Sequence, residues 1–139
     1  MKTDLQNRND VAKLVHSFYD KIRINEEIGP FFNETIHDWD AHLEKLTDFW
    51  ESNLFGVRKY YGNPPQVHME VDQKFHHTVN PDIFGLWLNL WFETLEELFE
   101  GDNVETLKFR ARKMGTVFMM AIYENRRQNP YDSTAQTKV

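Results

Sequence analysis

Apolar residues recur along this chain every three or four positions, and no stretch shows sustained two-residue alternation bounded by turn signals. That period belongs to helices that bury one face. Val11, Leu14, Val15, Phe18, Tyr19 and Ile22 form a first stripe. They predict a helix over 11–24, capped at Asn9 or Asp10 and stopped by Gly29-Pro30. Phe31-Phe32 then falls in a connecting segment. Trp39, His42, Leu43, Leu46, Phe49, Trp50 and Leu54 form a second stripe, which predicts a helix opening near Asp38 and ending at Gly56.

The run Tyr60-Tyr61-Gly62-Asn63-Pro64-Pro65 breaks the pattern. Pro65 can open a short helix carrying Val67, His68 and Val71, and residues 72–80 read as a loop. The third long helix has clear limits: Asn80 as cap, Pro81 in its first position and Gly101 just past its end. Ile83, Phe84, Trp87, Leu88, Trp91, Leu95, Leu98 and Phe99 give it a broad apolar face. Asp102 or Asn103 then caps a fourth, with Val104, Leu107, Ala111, Met114, Val117 or Phe118, Ala121 and Ile122 inward. The expected architecture is all-α: four main helices and a short one in a single domain over 1–139. Residues 1–8 and 128–139, polar and aperiodic, are expected as flexible ends.

Composition narrows what such a bundle can do. The 139 residues can bury a real core without a staple. The chain has no cysteine, which excludes disulfides, thiolate metal sites and cysteine nucleophiles. A net charge of −6 with no long basic block argues against nucleic acid and anionic membranes as partners. The polar start of the chain shows no signal peptide, and no apolar run is long enough to span a bilayer, so a soluble cytoplasmic protein is expected. The 11 Phe, 5 Tyr and 4 Trp exceed what a small core needs, which raises the question of what these rings line.

Six histidines are the main candidates for chemistry. His16 sits at the edge of the first helix and His37 in a polar linker, and neither is given a role. His42 shares an apolar face with Trp39, Leu46 and Phe49. An imidazole there must find a partner or line a cavity, and a core histidine bonded to a carbonyl is the plainer outcome. His68 follows the Pro-rich turn, where a rigidly held neutral imidazole would suit an axial ligand of haem iron. His76-His77 with His68 make a poor zinc site: there is no H-x-x-x-H, and Glu70 and Asp72 read as surface residues. Tyr19 and Trp87 lie on apolar stripes where core packing is the usual fate, but each carries a donor that wants a partner when buried. No G-x-S-x-G, P-loop or dinucleotide fingerprint occurs, so hydrolase and nucleotide chemistry are disfavoured.

The segments LVHSFYDKIR, GPFF, WDAHLEKLTDFW, GNPPQVH and FGLWLNLWFETLEELFEG, in this order, resemble the truncated haemoglobins of the group III type. The resemblance runs from about Val11 to Arg127, and the chain also lacks the glycine pairs of other truncated haemoglobins, as group III members do. It implies a truncated globin fold, a two-over-two helical sandwich around haem b. It makes His68 the proximal iron ligand and Tyr19, His42 and Trp87 the distal pocket. Phe32, Leu46, Phe49 and Trp50 become haem contacts, and Trp91 becomes core. The stretch between His68 and Trp87 is several residues longer than the family's usual spacing, so His76 or His77 stays open as the ligand.

The resemblance implies a pentacoordinate-type haem protein that binds oxygen or another small diatomic, with peroxidase-like or nitric-oxide-converting activity as a further expectation. Its partners would be oxygen, nitric oxide or peroxide and a reductase. The alternatives are a haem-based sensor or redox partner, and a cofactor-free helical interaction module in which the rings are only core.

Overall fold

The computed structural model describes residues 1–58, 60, 62, 64–75 and 78–129, with only the backbone at 65 and 66. Six helices follow in order: α1 (Arg8–Ile24), α2 (Gly29–Asn33), α3 (Trp39–Phe55), α4 (Pro64–Lys74), α5 (Pro81–Leu98) and α6 (Asp102–Gln128). No strand occurs among the described residues. The expectation for 130–139 lies outside them.

The first stripe buries Val11, Leu14, Val15, Phe18, Tyr19 and Ile22 as its spacing requires. The helix begins earlier than expected, at Arg8, because the Asn7 side chain accepts from the Asp10 amide at 3.0 Å and takes the capping role given to Asn9 or Asp10. Gly29-Pro30 does not simply stop this helix but opens α2, so Phe31 and Phe32 stand on a helical turn. At the other end of α3, Gly56 closes the helix in the left-handed region, φ 73°, where a side chain would be strained.

The N-terminal segment, expected as a flexible end, is packed against the rest of the chain. Leu5 is buried at 1 % exposure, the Glu100 amide donates to the Thr3 carbonyl, and the Asn103 side chain donates to the Leu5 carbonyl. Asp4 supplies the cap for α6 from outside that helix, accepting the Asn103 amide at 2.9 Å. The cap residue itself is Gly101, not Asp102 or Asn103. Its φ of 143° is open only to glycine, and a Cβ there would stand 2.5 Å from Asp4 Cγ.

Helices α1 and α3 pack together, α5 and α6 pack together, and α1 lies on α5 while α3 reaches α6. This two-over-two stack encloses a core of Phe18, Trp50, Trp91, Leu95 and Leu107. Trp91 is wholly buried, as expected for core, and donates to the Leu107 carbonyl at 3.4 Å. Helix α4 stands apart from the stack and packs chiefly on α6. It runs to Lys74, through the start of the segment read as a loop.

Candidate functional site

Between α4 and the stack lies a mostly apolar cavity of about 190 Å³, part of it open to solvent. Tyr19, Phe32, His42, Leu46, Phe49, Trp50, His68 and Trp87 all line it. Thus residues from α1, α2, α3, α4 and α5 meet at one place, although they span most of the chain. His76 and His77 lie outside the described residues.

His68 faces the cavity from the α4–α6 side. Its Nδ1 is 2.7 Å from the Pro64 carbonyl, one helical turn earlier. A carbonyl can only accept, so Nδ1 carries the proton and Nε2 keeps its lone pair. The ring lies almost flat on Phe118 of α6, 4.1 Å between centroids and 21° between planes, with Phe84 6.0 Å away. Burial pushes the imidazole pKa below its ordinary 6.5, and the Pro64 carbonyl pulls only partly the other way. The result is an oriented imidazole whose Nε2 has no hydrogen-bond partner among the described residues.

The facing wall carries the polar groups. Burial pushes the Tyr19 phenol far above its ordinary pKa, so it stays protonated, and the Trp87 indole N–H opposes that shift at the phenol oxygen. Indole N–H only donates, so Trp87 can act on Tyr19 only as a donor toward the phenol oxygen. The His42 ring stands edge-on to Tyr19 at 6.4 Å and to Trp39 at 6.0 Å. It is half-buried, lines the cavity and makes no side-chain hydrogen bond among the described residues. Burial first and the Lys45 charge second hold its pKa below 6.5.

Behind these groups the aromatic rings form a continuous wall. Trp87 lies parallel to Trp91 at 5.8 Å, and Trp91 stacks on Trp50 at 4.5 Å. Phe18 meets both Trp87 and Trp91 edge-on. Such contacts hold Tyr19 and Trp87 in place, since a ring locked on several sides cannot swing out without opening the core.

Chain comparison agrees with this geometry. The chain is 28% identical over 128 residues to the group 3 truncated haemoglobin ctb of Campylobacter jejuni, over 89% of this chain and 97% of that protein. The crystal structure of the group III truncated haemoglobin from Campylobacter jejuni matches with a TM-score of 0.75 and 29% identity, over 88% of this chain and 96% of the other. No family model matches.

The chain is similar to the group III truncated haemoglobins over most of its length.

Its fold is the truncated globin fold. The walls of this cavity fit a flat, apolar cofactor. Gly115, buried in the middle of α6, lines the cavity, and a Cβ added there would meet nothing nearer than Phe84 Cδ1 at 3.8 Å. Glycine costs a helix interior about 1 kcal/mol relative to alanine. Here it leaves bare backbone where a planar group would lie, beside a histidine with a free nitrogen. Sequence reasoning missed Gly115 and Phe84 as cavity residues, and it placed Phe118 only as one of two core options. Lys45 and Tyr60 were missed too, as they lie off the apolar stripes, although Lys45 sits one turn after His42. No helix of the described residues is long and apolar enough to cross a membrane.

Proposed function

We propose that this globin binds haem in the cavity through His68 and receives a small diatomic ligand, oxygen above all, on the side of Tyr19, His42 and Trp87. The observation that carries the reading is the His68 ring itself. Its Nδ1 is fixed to the Pro64 carbonyl and its Nε2 is free in an apolar cavity, the arrangement that readies one imidazole nitrogen for a metal. With no cysteine in the chain there is no thioether attachment, which favours non-covalent haem b.

Haem, when bound, supplies an iron centre able to take diatomic gases and exchange electrons. His68 would hold the cofactor, Phe32, Leu46, Phe49 and Trp50 would offer it apolar surface, and Gly115 would leave room for it. Tyr19 offers a protonated hydroxyl to any ligand carrying negative charge, and Trp87 sets the direction of that hydroxyl by occupying its oxygen. His42, kept neutral by burial, can accept or pass a proton beside them. The same groups would hold peroxide or nitric oxide, and turnover of either calls for an external reductant.

Addition of hemin to the purified protein tests the reading. A saturable Soret band at one equivalent is expected, weakened or altered in His68→Gly and restored by added imidazole. No band, or a His68→Gly band equal to that of the parent, would overturn it.

A further inference from the structure

Helix α4 is only eleven residues long, below the length at which an isolated helix holds itself together. Its place therefore depends on what fastens it to α6. One fastening is the stack of His68 on Phe118. The other stands one turn later, at Asp72, which sequence alone placed on the surface. Asp72 is in fact fully buried. Its Oδ2 accepts from Arg126 Nε at 2.9 Å, and its Oδ1 accepts from Arg126 Nη2 at 2.6 Å and from the Val79 amide at 3.1 Å. Arg126 also donates to the Val79 carbonyl.

We propose that Asp72 is a positioning residue for His68, pinning the rotation and height of α4 so that the imidazole meets the cavity in one orientation. This rests on the reading of His68 as the haem ligand. Residues four apart share a helix face, so the carboxylate and the imidazole must turn together. A bidentate guanidinium grip is directional, and a rotation or slide of α4 would break it. An apolar pair could supply comparable stability, so the gain from a buried ion pair lies in fixing a single geometry. The grip also reaches the segment that leads into α5. Val79 precedes Asn80, whose side chain caps the helix bearing Phe84 and Trp87. Asp72 thereby ties the wall of His68 to the helix of the opposite wall.

The test uses the haem-reconstituted full chain and reads the iron–histidine stretching band of the ferrous protein by resonance Raman. Haem transfer to a scavenging apoglobin gives a second readout. Asp72→Asn and Arg126→Gln are expected to shift or broaden the band and speed transfer several-fold. Glu51→Gln serves as control, because Glu51 also pairs with an arginine, Arg8, but on the α1–α3 face. It is expected to lower the thermal midpoint and leave the band in place. Should Asp72→Asn fail to fold, Arg126→Lys, which keeps the charge and loses the fork, carries the same expectation. An unmoved band and transfer rate in the Asp72 or Arg126 variants, or equal changes in Glu51→Gln, would overturn the positioning role alone. Absence of the band in the parent protein would instead remove the His68 reading and this proposal with it.

Discussion

The imidazole of His68 lies face-on against Phe118, 4.1 Å between centroids and 21° between planes. Together with the Pro64 carbonyl this contact removes both freedoms of the ring, its tilt and its spin about the side-chain bond. Helix α6 thus acts as the backing plate for α4.

Loss of that plate should loosen the imidazole before it unfolds the protein. Phe118→Leu keeps an apolar residue but gives up the flat face. It is expected to cost about 1 kcal/mol in stability, in the range of size-conserving core changes, and to speed haem loss several-fold. Chemical denaturation and haem transfer read the two effects separately. Unchanged transfer would mean that the stack does not hold the ring.

On the opposite wall, Tyr19→Phe removes the phenol proton that stands beside His42 and Trp87. A hydrogen bond to a charged group is worth about 1.5–3 kcal/mol, so oxygen release should accelerate roughly 10- to 100-fold. Trp87→Phe should act through Tyr19, freeing the phenol oxygen and changing the off-rate less. Stopped-flow dissociation measures both. A larger effect in Trp87→Phe than in Tyr19→Phe would reverse the assigned roles.

His42 gives a pH dependence with a definite sign. Its folded pKa lies below the ordinary 6.5 because burial disfavours the cation and Lys45 adds repulsion. Folding therefore keeps the full contribution of this group above about pH 6.5 and loses it as pH falls through the lower folded value. NMR titration of the haem-free protein should place the His42 midpoint below 6.5. Lys45→Ala should raise that midpoint without restoring it fully, since burial is the larger cause.

The N-terminal segment makes a separate stability prediction. Asp4→Ala removes the cap of α6 and should cost about 1 kcal/mol, the usual worth of a capping side chain. Gly101→Ala should cost more, because it strains a backbone at φ 143° and drives a Cβ into Asp4. Thermal denaturation of the two variants checks the order.

What the sequence made legible followed from local period and local breakers. The stripes of α1, α3, α5 and α6 appeared because each buries one face, and Asn80-Pro81 and Gly56 marked ends that obey short-range rules. Tyr19, His42, His68 and Trp87 emerged as polar groups on apolar faces, and family resemblance joined them before any cavity was visible. What remained hidden depends on distant partners. Asp4 caps a helix at Asn103, 99 residues further along, and the buried Asp72 has its partner, Arg126, on α6. No local pattern separates such a carboxylate from a solvated one. Trp87 was legible as a donor, but not its influence on the Tyr19 phenol.

The decisive measurement is the iron–histidine stretching band of the ferrous, reconstituted protein compared with His68→Gly. The band is expected in the parent, absent in His68→Gly, and present again when imidazole is supplied. A band that persists unchanged in His68→Gly without imidazole would place the ligand elsewhere, with His76 or His77 next in line, and would contradict the assignment of the cavity's free nitrogen to iron.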